Sequence, residues 1–168
     1  MVMTIAQFPK ICDGHDMKNT FLTSPMMHAL ALAEDAAKDG EVPVAAIITD
    51  ADGAIIAEAV NRVERDQDPT AHAEILAIQS ASRTLGQTRL DGCDLWVTLE
   101  PCPMCAGAIA HARIRCLYYG ADDPKSGGVS HGPRVFSHPT CHHKPEVFSG
   151  LEGDASSRLL TQFFRQKR

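Results

Sequence analysis

Four side chains in this chain have types and spacings that could do chemistry together. Cys102 and Cys105 stand three residues apart in "PCPMC". On a helix that spacing turns both thiols to one side. At a helix start, free N–H groups and the dipole favour thiolates. Such a pair could clamp zinc, although alone it also fits a redox motif or half of a structural zinc site. His72 and Glu74 stand two apart in "PTAHAEILAI", at the start of another apolar stretch. No second C-x-x-C exists, so a four-cysteine ribbon is excluded, and His72 is the best remaining ligand. One imidazole and two thiolates leave the fourth tetrahedral position to water, which marks a catalytic zinc rather than a structural one. Zinc lowers the pKa of that water from about 15.7 toward about 7. Glu74 is then placed to move protons.

Blander readings stand beside this one. A single histidine at a helix start is more often a cap or a solvent-facing residue. A single glutamate in the first turn is usually a partner of the helix dipole. Cys141, His142 and His143, with His131 and His138, follow no regular metal spacing and read as a polar loop. Cys141 as a fourth ligand would turn the site into a structural one, and the sequence leaves that open. Cys12, Cys93 and Cys116 read as small buried or half-buried residues.

The elements that must position these residues follow from periodicity and punctuation. Ser24-Pro25 predicts a helix start, with Met27, Leu30, Ala31 and Ala37 on or near one face and Gly40 at the end. "VPVAAIIT", residues 42–49, predicts a central strand. "DADG" makes a tight turn into a return strand, residues 54–60. After a polar loop, Thr70 is the expected N-cap of a helix from Ala71 to about Arg83, closed by Gly86, with Ile75, Leu76 and Ile78 as core. "DLWVTL", residues 94–99, is a strand that runs into the cysteine helix. "CLYYG" is a strand, residues 121–144 are loop, and "EVFSG" is a weak last strand. Asp154 is the expected N-cap of a C-terminal helix. The order α-β-β-α-β-α-β-β-α predicts an α/β fold, a mixed sheet with helices on both faces.

With 168 residues the chain has room for one core. Residues 1–22 lack a clear period and read as a loose N-terminal arm, with a single domain over 23–168. The net charge, 16 − 21 = −5, does not point to nucleic acid but leaves room for a local basic patch. No stretch is apolar enough to span a membrane, and the first twenty residues lack a secretory pattern. The expectation is a cytoplasmic protein without disulfides.

The joint pattern His72-Ala73-Glu74 and Pro101-Cys102-x-x-Cys105 is the signature of zinc nucleobase deaminases. Within the zinc-dependent cytidine/deoxycytidylate deaminase superfamily, the chain resembles the bacterial tRNA-specific adenosine deaminases. "NRVERDQDPTAHAEILAI", "DLWVTLEPCPMCAGAIAHARI", "YYGADDPKSGG" and "LLTQFFRQKR" carry the resemblance, over roughly residues 25–168. It implies a three-layer α/β/α cytidine-deaminase-like fold with a five-stranded sheet, a homodimer, and one zinc ion (Zn2+) per chain on His72, Cys102 and Cys105. Glu74 would be the proton shuttle for the conversion of adenosine to inosine and ammonia. Asn61 would hydrogen-bond the purine, and the Ala73 N–H would lie beside it. Pro43, Val44 and Leu99 would line the ring slot. Asp123 would contact the preceding nucleotide, and Phe164 and Arg165 the anticodon loop of a tRNA, expected to be an arginine tRNA with anticodon ACG. Arg165, Lys167 and Arg168, with Lys125, would be the basic patch. Where the family usually has glycine after "VPV", this chain has Ala45, whose methyl could tighten the slot slightly without changing the reaction. The resemblance also implies the cysteine helix, residues 103–112, as a dimer element.

Two other readings remain. A deaminase of free guanine, cytosine, cytidine or deoxycytidylate would use the same four residues, but would need neither "FFRQKR" nor the "DPKSGG" loop. A structural zinc module would need a fourth protein ligand and have no use for Glu74.

Overall fold

The computed structural model describes residues 24–167. The expected arm, residues 1–22, and Arg168 lie outside them. Five strands make one mixed sheet: β1 Ala45–Thr49, β2 Ile55–Val60, β3 Asp94–Leu99, β4 Cys116–Ala121 and β5 Glu146–Phe148. Their order is β2-β1-β3-β4-β5. β1 pairs antiparallel with β2 and β3, while β3–β4 and β4–β5 are parallel. The helices are α1 Pro25–Lys38, a one-turn α2 Val63–Asp66, α3 Ala73–Leu85, α4 Pro103–Ala112 and α5 Gly153–Gln166.

β1 explains the layering. All five of its residues are buried, which suits a strand covered on both faces. Ala46 and Ile48 belong to the larger core with Ala77 of α3 and Ile109 of α4. Ala45 and Ile47 face the other way, onto Ala29 and Ala33 of α1 and Leu159 of α5. The result is the expected α/β/α sandwich, with α3 and α4 on one face and α1 and α5 on the other. Among the described residues no helix is long and apolar enough to cross a membrane.

Several sequence expectations shift. β1 begins at Ala45, not Val42, because Pro43 has no N–H for a ladder; instead the Val44 N–H closes a tight turn on the Val42 carbonyl at 2.7 Å. α1 starts as expected, with the Ser24 Oγ accepting from the Met27 N–H at 3.3 Å. Its buried face is Met26, Ala29, Ala33 and Ala36, while Met27 is 50% exposed. The period is right and the phase is off by one residue, since alanines let the helix lie close on β1. α3 does likewise: it buries Ala73, Glu74, Ala77 and Ala81 and leaves Ile75, Leu76 and Ile78 half-buried. The polar loop contains α2, whose N–H groups of Glu64 and Arg65 are taken by the buried Glu41 carboxylate at 3.3 and 2.6 Å. The long loop contains one 3-10 turn, Val135–Ser137, and β5 ends at Phe148 rather than Gly150. In α5, Glu152 takes the N-cap position, and Asp154 falls in the first turn as a dipole partner.

Candidate active site

α3 and α4 both begin at the same edge of the sandwich, and each begins with a metal-type residue. His72 is the N-cap of α3 with extended backbone, φ −73° and ψ 149°, and its ring makes no capping bond. Thr70, the expected cap, instead donates its hydroxyl to Asp68 at 2.7 Å. Cys102 is the N-cap of α4, Pro103 follows it, and Cys105 lies in the first turn. His72 Nδ1 is 3.7 Å from Cys102 Sγ and 3.5 Å from Cys105 Sγ. The three donor atoms all lie within 4.8 Å of one another. Zinc bonds of about 2.0–2.3 Å at tetrahedral angles set neighbouring donors about 3.6 Å apart, so the donor set fits that ion.

Two helix starts aim their dipoles at this point, which favours thiolates. Cys102 is pulled down to about 4, first by the Cys105 thiol against the cost of burial, then by His72 and the Cys105 N–H. The same neighbour, with burial, pushes Cys105 up. The pair is thus inclined to give up its proton at Cys102. His72 is pushed up by its contact with Cys102.

Glu74 is 4% exposed. Burial pushes its carboxyl up, so it holds a proton more readily than an ordinary glutamate. It lines the same cavity as His72 and Cys102, yet it is not one of the three mutually close donors. That cavity is about 270 Å³ and is also lined by Val44, Asn61, Leu99 and Asp123. Seven of the residues expected from sequence therefore meet here, with Cys105 buried behind them. Pro43 and Ala73 are buried alongside, without lining the cavity. Phe164, 49% exposed, and Arg165 lie on α5, outside the cavity. Lys167 of the expected basic patch is tied back, donating to the Gly40 carbonyl at 2.8 Å. Cys141 is not near the cluster: its thiol donates to the His143 carbonyl at 3.0 Å. Among the described residues the three donors have no fourth. The Ala45 methyl packs in the α1-side core, away from the cavity, so it does not tighten the slot.

Known proteins resemble this chain in sequence and fold. The chain matches the MafB19-like deaminase family over residues 23–168. It is 56% identical over 140 residues to the tRNA-specific adenosine deaminase of Agrobacterium fabrum, spanning 83% of this chain and 91% of that protein. The chain belongs to the tRNA-specific adenosine deaminase family. The Bacillus subtilis protein of that name is 41% identical over 143 residues, 85% of this chain and 88% of that one. A solved tRNA:A34 deaminase, studied for A-to-I editing at the wobble position, is 54% identical with a TM-score of 0.78, covering 80% of this chain and 98% of its own. A guanine deaminase from Nitrosomonas europaea is 27% identical with a TM-score of 0.67, covering 83% and 82%.

Sequence reasoning missed two buried carboxylates in this deaminase. Glu41 accepts from Asn61 Nδ2 at 3.1 Å and so fixes the amide that lines the cavity. Glu100 follows β3 directly, just before the cysteine turn. Burial pushes Glu100 up, but N–H groups of Asp123, His131 and Ser130 and the His131 ring pull it down further, to about 2. The available signal was position: each glutamate sits at an apolar strand's end, in "GEVPV" and "TLEPC". The deaminase also has a larger hollow, about 500 Å³, between α3 and α4, lined by Ile75, Ile78, Ala108 and Ala112. None of the metal donors lines it.

Proposed function

We propose that the protein hydrolyses the 6-amino group of adenosine at the wobble position of tRNA, giving inosine and ammonia. One observation carries the chemistry: three soft donors converge beside a buried glutamate in one cavity. Identity of 56% to a tRNA-specific adenosine deaminase, against 27% to a guanine deaminase, supports the substrate.

His72, Cys102 and Cys105 would hold one zinc ion, with water in the fourth position. The ion supplies, when bound, a hydroxide nucleophile at neutral pH. Glu74, kept off the metal donors and inclined to hold a proton, would carry one proton of the attacking water to purine N1 as the C6–O bond forms, and then the proton of the new C6 hydroxyl to the amine as the C6–N bond breaks. Asn61, held by Glu41, hydrogen-bonds the purine. Val44 and Leu99 confine the ring against His72, with Pro43 packed behind them, and the Ala73 N–H is the backbone donor nearest the base. Asp123 meets the preceding nucleotide. Phe164 and Arg165 engage the anticodon loop, whose splayed bases are read by stacking and charge. The chain acts in the cytoplasm as a homodimer, and the apolar hollow between α3 and α4 is the surface a second copy would cover.

The experiment is incubation with an arginine tRNA transcript bearing ACG and, separately, with adenosine, cytidine and guanine. Inosine at the first anticodon position is expected. Ammonia from a free base or nucleoside alone would replace this reading with the free-base one.

A further inference from the structure

Glu100 is buried completely at its side chain and takes part in no step above. Its Oε1 accepts from three successive backbone N–H groups, Val129 at 3.2 Å, Ser130 at 2.8 Å and His131 at 2.9 Å. Its Oε2 accepts from the Asp123 N–H at 2.9 Å and pairs with His131 Nδ1 at 2.7 Å. Successive N–H groups converging on one oxygen form a nest for an anion, and here the anion is part of the chain. Glu100, Asp122 and His131 also place donor atoms within 4.8 Å of one another. A cation there would compete with five hydrogen bonds that already satisfy the carboxylate.

The nest belongs to the segment that carries Asp123 and Ser126, both on the cavity wall. Asp123 Oδ1 accepts from the Lys125 and Ser126 N–H groups at 3.1 and 3.0 Å, so the turn is rigid in itself. Two glycines press it onto the metal-bearing turn. A Cβ on Gly127 would lie 2.5 Å from the Glu100 carboxyl carbon. One on Gly128 would lie 2.6 Å from Pro103 N and 2.8 Å from the Cys102 carbonyl carbon. The Gly128 N–H also bonds the Pro101 carbonyl at 2.8 Å.

We propose that Glu100 is a positioning residue: by filling the nest of residues 129–131 it fixes the Asp123 wall at a set height above the Cys102 turn, and so sets the fit of the nucleotide. This rests on the cavity being the substrate site. The carboxylate needs both acceptor oxygens. Glutamine has the same shape but would point an N–H2 at N–H donors, which costs the loop its seat.

The test is Glu100→Gln in the zinc-loaded full chain, read by zinc per chain, by KM and kcat on the tRNA transcript, and by amide hydrogen exchange. Expected are unchanged zinc, a KM raised roughly tenfold or more with a smaller change in kcat, and faster exchange confined to residues 122–131. Gly127→Ala, whose Cβ would press on the Glu100 carboxyl and on the Asp123 carbonyl alike, each at 2.5 Å, should reproduce the KM rise and the local exchange. It also serves if the glutamine variant does not fold. Unchanged exchange in the loop, or activity lost only in step with zinc, overturns the proposal. If the wild type leaves the tRNA transcript untouched, the substrate reading fails, and the exchange comparison alone still decides the clamp.

Discussion

At the floor of the cavity, Cys105 is 0% and Glu74 4% exposed; on α5, Phe164 is 49% exposed. The floor is made by the first turns of two helices packed on one sheet face, so each side chain is aimed by backbone and the neighbouring core. The outer face is made by the last helix, α5, where Phe164 stands clear of the cavity. A guanine deaminase shares the fold at 27% identity, so the fold by itself does not choose the base. Under the proposed function, that choice falls to the wall and the outer face. That division predicts different kinds of damage from different substitutions.

The largest effect should come from the floor. Cys102→Ser, or removal of metal by a chelator, should abolish turnover together with zinc, because two donors cannot hold the ion against water. Metal analysis beside an inosine assay checks this, and full activity in a metal-free preparation would undo it. On the wall, Asn61→Ala should keep zinc and raise KM roughly tenfold to a hundredfold, since the amide that would hydrogen-bond the purine is removed. Steady-state kinetics with matched zinc content separate this from a floor defect. On the outer face, Phe164→Ala should cost about 1–3 kcal/mol of tRNA recognition, the scale of one stacking contact. Melting temperature and zinc should stay as in the wild type. Equal kcat/KM on tRNA would remove Phe164 from the contact surface. Smallest is Ala45→Gly: the methyl points to α1, so kinetics should not change, while thermal unfolding should show a loss of about 1 kcal/mol.

The floor was legible in the sequence because its signals are local. C-x-x-C and H-x-E each declare a spacing, and Ser24, Pro25, Gly86 and the Asp50–Gly53 turn punctuate the elements. Helix phase was harder. Met27 and Ile75 are more apolar than Ala29 and Ala77, yet close approach to β1 favours the alanines. Glu41 and Glu100 were illegible for another reason. Their partners lie 20 to 31 residues further along the chain, and no local period records a carboxylate that closes a distant loop.

Glu74→Ala, measured for zinc per chain and for inosine formed in the tRNA transcript, tests most directly whether Glu74 moves protons without holding the metal. One zinc should be retained per chain and inosine formation should fall about 10²–10⁴-fold, the usual contribution of a positioned proton carrier. Loss of zinc in proportion to activity would make Glu74 a ligand, and inosine at the wild-type rate would leave it without a part in the reaction.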